Sequence, residues 1–172
     1  MEIYSEEYKS RCLKRLKEWN APLQGWYCIS VSDTLEEDTG LFTCELCGCV
    51  RVRFVHVMRH DQYFEDVSVG CICAGIMEGD ILAAKERERL VRNRARRRAN
   101  FPYRKWRKGR RGGLFLNHKG ASIIIWRSDG LYWASYKKQS TRLYKGKPIT
   151  NYLSAIYAAF DLVDPPIRGQ RL

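Results

Sequence analysis

The sequence predicts an α+β chain made of two dissimilar halves, on three observations. Four cysteines stand in two tight pairs at the ends of an alternating, hairpin-like run between residues 44 and 73. A helical stretch dense in arginine follows. The last third is written as short β-branched strands, broken by turn residues, before one amphipathic helix. The expected parts are 1–80, an N-terminal helix and cysteine-bearing module; 81–112, a basic helix and linker; and 113–172, a small antiparallel sheet of three to four strands packed on a C-terminal helix.

In order along the chain, residues 5–19 have Ser5 as N-cap and Glu6 and Glu7 at the positive end of the helix dipole. Tyr8, Cys12, Leu16 and Trp19 recur at helical spacing, which reads Cys12 as a core residue rather than a ligand. Residues 26–31 read as a strand in which Cys28 packs, and 33–40 as an acidic loop. Residues 50–58 and 62–70 read as two strands joined at His60 and Asp61. Gly79 interrupts the helical run after Cys73, and Asp80 caps a helix that nothing breaks before residue 99. Strands then fall at 114–116, 122–127, 131–137 and 141–145, with Asp129-Gly130 a strong hairpin turn. Thr150 is placed to cap a last helix, with Leu153, Ile156, Phe160 and Val163 on one face.

The cysteines suggest chemistry as well as fold. Cys44 and Cys47 are separated by two residues and followed by Gly48. A tight turn of that kind points two thiolates at one ion, and the glycine removes the Cβ that would obstruct it. With Cys71 and Cys73 entering the next helix, the order knuckle, hairpin, helix is that of a treble-clef-like zinc module with four thiolates around a tetrahedral Zn²⁺. Cys-x-Cys is an unusual second pair, so His56 and His60 stand as alternative ligands, and Cys49 as a bystander. Seven cysteines, an odd number, fit metal in a reducing cytoplasm better than disulfides. No apolar run reaches the length of a membrane span, and Met1-Glu2-Ile3 opens no signal region. The expectation is a cytoplasmic protein with no membrane partner and no small-molecule substrate.

The formal net charge is +12, and all of it lies between residues 85 and 111, where fourteen Lys or Arg meet only Glu86 and Glu88. The rest of the chain balances. Such density points to a polyanion. On the helix the expected phosphate contacts are Arg89, Arg92, Arg94, Arg96, Arg97 and Arg98, since a helix with arginine on most of its circumference buries poorly. In the linker they are Arg104, Lys105, Arg107, Lys108, Arg110 and Arg111, with Trp106 interleaved as a ring that stacks on bases.

Two resemblances extend this reading. The cysteine pattern with the Arg-rich helix, over residues 44–110, resembles small uncharacterised zinc-binding-type proteins of bacteria and phages, which implies a zinc module. The strands containing Trp133-Ala134 and the string from Ser154 to Asp161, over residues 121–163, resemble AP2-type DNA-binding domains. That likeness implies nucleic-acid recognition by the outer face of the sheet, with Trp126, Arg127, Lys137, Arg142 and Lys145 as candidates.

The favoured function is therefore a non-enzymatic, zinc-stabilised nucleic-acid-binding protein, for DNA or RNA, in which the helix and linker contact phosphate and the sheet orients the strand. The alternative is a phage-type inhibitor or accessory protein that binds a protein or an RNA-loaded nucleoprotein complex. A third reading is a metal-dependent nuclease built on His56, His60 and Asp61, against which stands the absence of a second carboxylate at useful spacing.

Overall fold

Helix α1 (Glu6–Glu18) starts where expected, with the Ser5 hydroxyl accepting from the Tyr8 amide at 3.1 Å, and it turns Cys12 and Leu16 inward. The structure, a computed structural model, describes residues 4–167. It is α+β, with four α-helices and antiparallel sheets among the described residues. Its contacts divide the chain into two units, one running to Ala95 and including Ile167, the other Arg96–Pro166. That division falls inside the basic helix, whereas the sequence suggested breaks at 80 and 112.

In the first unit, β1 (Tyr27–Asp33), β2 (Phe54–Arg59) and β3 (Val67–Val69) form a three-stranded antiparallel sheet in chain order. The two hairpin strands are shorter than the alternation implied. Residues 60–66 are a polar turn, braced by Arg59, whose guanidinium donates to both Asp66 carboxylate oxygens at 2.7 and 2.8 Å. Helix α2 (Cys71–Glu78) follows β3 at once and ends at Gly79 with φ +79°. The Asp80 side chain then accepts from the Ala83 amide at 2.9 Å to open α3 (Ile81–Asn100). A Cβ on Gly75 would lie 2.7 Å from the Ile81 Cα, so the α2–α3 corner closes only around a glycine. Leu16, Met58, Val69, Ala74, Met77 and Ala84 form this unit's core together with Cys12, Cys28, Cys44 and Cys73.

In the second unit, β4 (Arg107–Lys108), β5 (Leu114–His118), β6 (Ala121–Ser128), β7 (Leu131–Tyr136) and β8 (Gln139–Thr141) form a five-stranded antiparallel meander. A two-stranded ribbon, β9 (Leu143–Tyr144) with β10 (Lys147–Pro148), precedes α4 (Tyr152–Val163). The turns Lys119-Gly120, Asp129-Gly130 and Lys145-Gly146 each hold two consecutive residues at positive φ, as two-residue hairpin turns demand. The sheet exceeds the expected three to four strands because β4 lies inside the basic linker, where charge masks the strand pattern. Asn151, not Thr150, caps α4, accepting from the Ser154 amide at 2.8 Å. Ile123, Ile125 and Ala134 meet Ala155, Ala159 and Phe160 of α4 in an apolar core. Among the described residues no helix is long and apolar enough to cross a membrane.

Candidate metal centre and nucleic-acid interface

Cys44 to Cys47 form the expected knuckle. The Gly48 amide donates to the Cys44 carbonyl at 2.9 Å with Gly48 at φ +75°, and the Gly70 amide donates to the Cys44 sulfur at 3.4 Å. Cys73, in the first turn of α2, completes a triad: the Sγ atoms of Cys44, Cys47 and Cys73 all lie within 4.8 Å of one another, close enough to hold a metal ion. Two α1 side chains border it. The Tyr8 hydroxyl is 3.1 Å and the Cys12 sulfur 4.0 Å from the Cys73 sulfur. Cys12 is buried, as its helical spacing implied, but its burial is against thiols, which periodicity cannot reveal.

Cys71 does not join the triad, which corrects the expected four-thiol set. Both Cys71 and Cys73 lie on α2, where side chains two residues apart project about 200° apart and cannot grip one ion. The Cys71 thiol instead falls in a second group with His56 of β2 and Glu88 of α3, again within 4.8 Å of one another. Neither histidine stands beside the thiol triad as an alternative ligand. His60 donates from Nε2 to the Gln24 carbonyl at 2.9 Å and accepts at Nδ1 from the Gln62 amide at 3.0 Å. Asp61 accepts from the Tyr27 hydroxyl at 2.9 Å. His56, His60 and Asp61 are thus not gathered, as a nuclease centre would require.

When no ion is bound, the surroundings of Cys44 and Cys73 favour the protonated thiol. A hydrogen bond with Cys73 and burial push the Cys44 thiol well above its ordinary range, and the Cys73 thiol rises through its contact with Cys12. Cys12 moves down, because Cys73 supplies it with a hydrogen bond. Desolvation and the sulfurs of Cys47 and Cys73 raise the Tyr8 phenol. In the second group, burial raises Cys71 to about 12, with the Glu88 carboxylate adding to the shift. Burial alone would raise Glu88, but His56 and Arg92 outweigh it and hold the carboxyl below its usual range.

The arginines of α3 are mostly paired within the protein, although Arg89, Arg92, Arg96 and Arg97 remain exposed on a helix that buries poorly, as its composition implied. Arg94 is only 5 % exposed and donates to both oxygens of Glu36 at 3.0 and 3.1 Å. Arg89 grips Glu86 at 2.6 and 2.7 Å, and Arg92 pairs with Glu88 while lying over the Phe54 ring. Arg97 donates to Asp164 at 2.6 Å. Arg98 donates to the Tyr144 hydroxyl and sits 3.9 Å from the Tyr157 ring centre. Arg96 is exposed. Trp106 is also committed: its Nε1 donates to the Phe101 carbonyl at 3.2 Å and its ring packs edge-on against Phe101.

Some of the remaining cations border a different surface. Alternation along the meander puts Leu114, Leu116, Ile123, Ile125, Ala134 and Tyr136 on the α4 side. Phe115, Ile124, Trp126 and Trp133 lie on the other side, where Arg107, Phe115, Ile124 and Ser135 share one cross-strand row. Trp126 and Trp133 face each other across β6 and β7 as stacked rings 5.8 Å apart, and the Arg142 guanidinium lies 5.8 Å from the Trp133 ring. At the β4–β5 end, a cavity of about 430 Å³ is lined by Tyr103, Arg104, Lys105, Arg107, Phe115, Leu116 and Asn117. Tyr103 is 88 % exposed at its rim. Lys108, Arg110, Arg111, Arg127, Lys137 and Lys145 are exposed as well. Sequence reading named these cations and Trp126, but not Phe115 or the Trp126–Trp133 pairing. The pairing was legible in principle, since a two-residue turn at Asp129-Gly130 fixes the register that sets the two tryptophans opposite each other.

Compared with models of known families, with curated proteins and with solved structures, the chain matches none.

Proposed function

We propose that the chain is a metal-clamped nucleic-acid-binding protein whose binding surface is the helix-free face of the second unit's sheet. The observation that carries this reading is the Trp126–Trp133 stack with Phe115 on that face, bordered by Arg107 and Arg142. Half-buried rings beside guanidinium groups suit single-stranded nucleic acid, because any base offers a face to stack while the cations neutralise phosphate. The cavity ringed by Arg104, Lys105 and Arg107 is of a size that takes one nucleotide. The metal is zinc in this reading, with Cys44, Cys47 and Cys73 as ligands and Cys12 as the fourth. The 4.0 Å Cys12–Cys73 separation is close to the roughly 3.8 Å edge of a tetrahedron with about 2.3 Å Zn–S bonds. The order knuckle, hairpin, helix supports a treble-clef-like module, with the fourth thiol borrowed from α1.

The test is fluorescence anisotropy of labelled single-stranded DNA, single-stranded RNA and duplex DNA over a salt series. Trp133→Ala is expected to weaken single-strand binding by about 1–3 kcal/mol with the salt slope unchanged. Absence of binding below about 10 µM near physiological salt, or indifference to Trp133→Ala, overturns the reading. In that event a protein or nucleoprotein partner takes its place.

A further inference from the structure

We infer that His56, Cys71 and Glu88 form a second metal site, separate from the Cys44–Cys47–Cys73 triad, which binds a divalent transition ion of the zinc type and leaves one coordination position open. Three elements bring these residues together from far apart in sequence: β2 supplies the imidazole, the first turn of α2 the thiol, and α3 the carboxylate. One nitrogen, one sulfur and one oxygen donor suit a borderline ion such as Zn²⁺ or Co²⁺.

The geometry fits such an ion. The His56 Nε2 stands 3.3 Å from a Glu88 carboxylate oxygen. A tetrahedral ion with bonds of about 2.0–2.1 Å to nitrogen and oxygen sets those two atoms about 3.3 Å apart. The other Glu88 oxygen accepts from Arg92, which fixes the carboxylate plane, as supporting groups do for metal ligands.

A second observation separates His56 from an ordinary core histidine. Its side chain is 0 % exposed, and its Nδ1 is buried without a hydrogen-bond partner among the described residues. His60, four residues on, has both ring nitrogens served by the backbone. Enclosing an imidazole, a carboxylate and a thiol together away from water is costly unless a further group binds them, and an ion at Nε2 answers that cost for the three groups while leaving Nδ1 as it is.

The open position has somewhere to face. Cys71 and Glu88 line a cavity of about 420 Å³ whose wall also carries Arg51, Arg53 and Arg92. Three protein ligands with a free fourth position are the arrangement that holds water or an exchangeable anion, whereas four protein ligands close a site. Arg53 and Arg92 are held by Asp33 and Glu88, so the Arg51 guanidinium is the group on that wall that suits an anion.

The experiment is metal counting on full-length protein, stripped and reloaded with Co²⁺ under reducing conditions. Comparison of wild type with Cys71→Ser is expected to show a loss of one cobalt per chain, with the sulfur-to-cobalt absorption of the triad retained. Because Cys71→Ser could instead disturb folding, Glu88→Gln gives a second measure. It keeps the side-chain volume and is expected to weaken the second equivalent by about tenfold or more in a chelator competition. Azide is expected to shift the d–d bands of the second cobalt. Equal metal content in wild type and Cys71→Ser, with unchanged affinity in Glu88→Gln, overturns the site and leaves a hydrogen-bonded polar core. Bands indifferent to azide overturn the open position.

Discussion

The interior of the Arg96–Pro166 unit is isoleucine, alanine and phenylalanine from one sheet face and one helix face. The interior of the unit that ends at Ala95 also contains Cys12, Cys28, Cys44 and Cys73, an enclosed imidazole at His56 and the buried Arg94. Both have antiparallel sheets and similar packing elements, but they gain stability differently. An apolar core needs nothing beyond itself. A three-stranded sheet capped by short helices around thiols and charges needs partners for those groups, and at the triad a metal is the natural one. Enclosed thiols would tie the first unit's stability to metal and to alkaline pH, while the core of the second unit encloses none.

The largest expected effect follows directly. Structural zinc sites in small modules supply on the order of 10 kcal/mol of folding energy near pH 7. Chelation, or Cys44→Ser, should unfold the first unit while leaving the second folded. Amide NMR of the full chain checks this: resonances of the five-stranded meander should persist as those of β1 to β3 collapse. Simultaneous loss of both sets would mean that the units share one cooperative core.

Next in size is the Arg94–Glu36 pair. Arg94→Ala strands a carboxylate that two charge-assisted hydrogen bonds now serve, and it opens a hole in the helix packing. Breaking a buried pair costs about 3–5 kcal/mol, and the partial exposure of Glu36 reduces this to roughly 2–3. Urea denaturation of the metal-loaded protein would show it. A loss under about 1 kcal/mol would place Arg94 among ordinary surface charges.

The pH dependence sharpens the contrast, because metal reverses its sign in the first unit. Without metal, Cys44 and Cys73 have folded-state values raised above the unfolded thiol value of about 8.5. Their contribution is then fully present below about pH 8.5 and is lost as pH rises through the folded values. With metal, the thiols must give up protons to bind, so affinity should climb with pH below 8. The slope should approach about four log units per pH unit for the four thiols of the proposed site. Metal-binding isotherms at pH 6, 7 and 8, beside melting curves of stripped protein from pH 7 to 10, should show the opposite trends. The second unit's melting should follow neither.

The sequence made the second unit more legible than the first, for a physical reason. A hairpin meander is specified locally: period-two alternation, Asp129-Gly130 and a capped helix are all contiguous signals. Four of its strands and α4 were accordingly placed within a few residues. The first unit's chemistry depends on residues far apart in the chain. Cys44 and Cys47 were readable because two ligands on one tight turn are local. Cys71 departs from the pair because α2 begins at that residue, so both thiols lie on the helix and two residues apart they point to opposite sides rather than to one ion. Cys12 and Glu88 carried no local signal: one looks like any core residue of an amphipathic helix, the other like any acid in a charged one. Net charge misled in a related way. It counted fourteen cations between 85 and 111, but could not see that Glu36 or Asp164 lay in wait for two of them.

That last point sets the finest comparison, between the cations of α3 and those of β4. Arg89 is exposed yet already gripped in both directions by Glu86. Arg107 and Lys108 are exposed on β4, with Arg107 beside Phe115 on the proposed binding face. A phosphate that approaches Arg89 must displace a carboxylate and gains little net charge neutralisation. At Arg107 it displaces only water and counterions. Each neutralised phosphate on a single strand contributes a slope of about 0.7 in log affinity against log salt. Replacing Arg107 with glutamine should therefore flatten the slope by about 0.7, while Arg89→Gln should leave both the slope and the unfolding midpoint where they are. Equal flattening by the two changes would show that the helix, with its carboxylates turned aside, meets the strand after all, and the binding surface would then have to extend beyond the sheet.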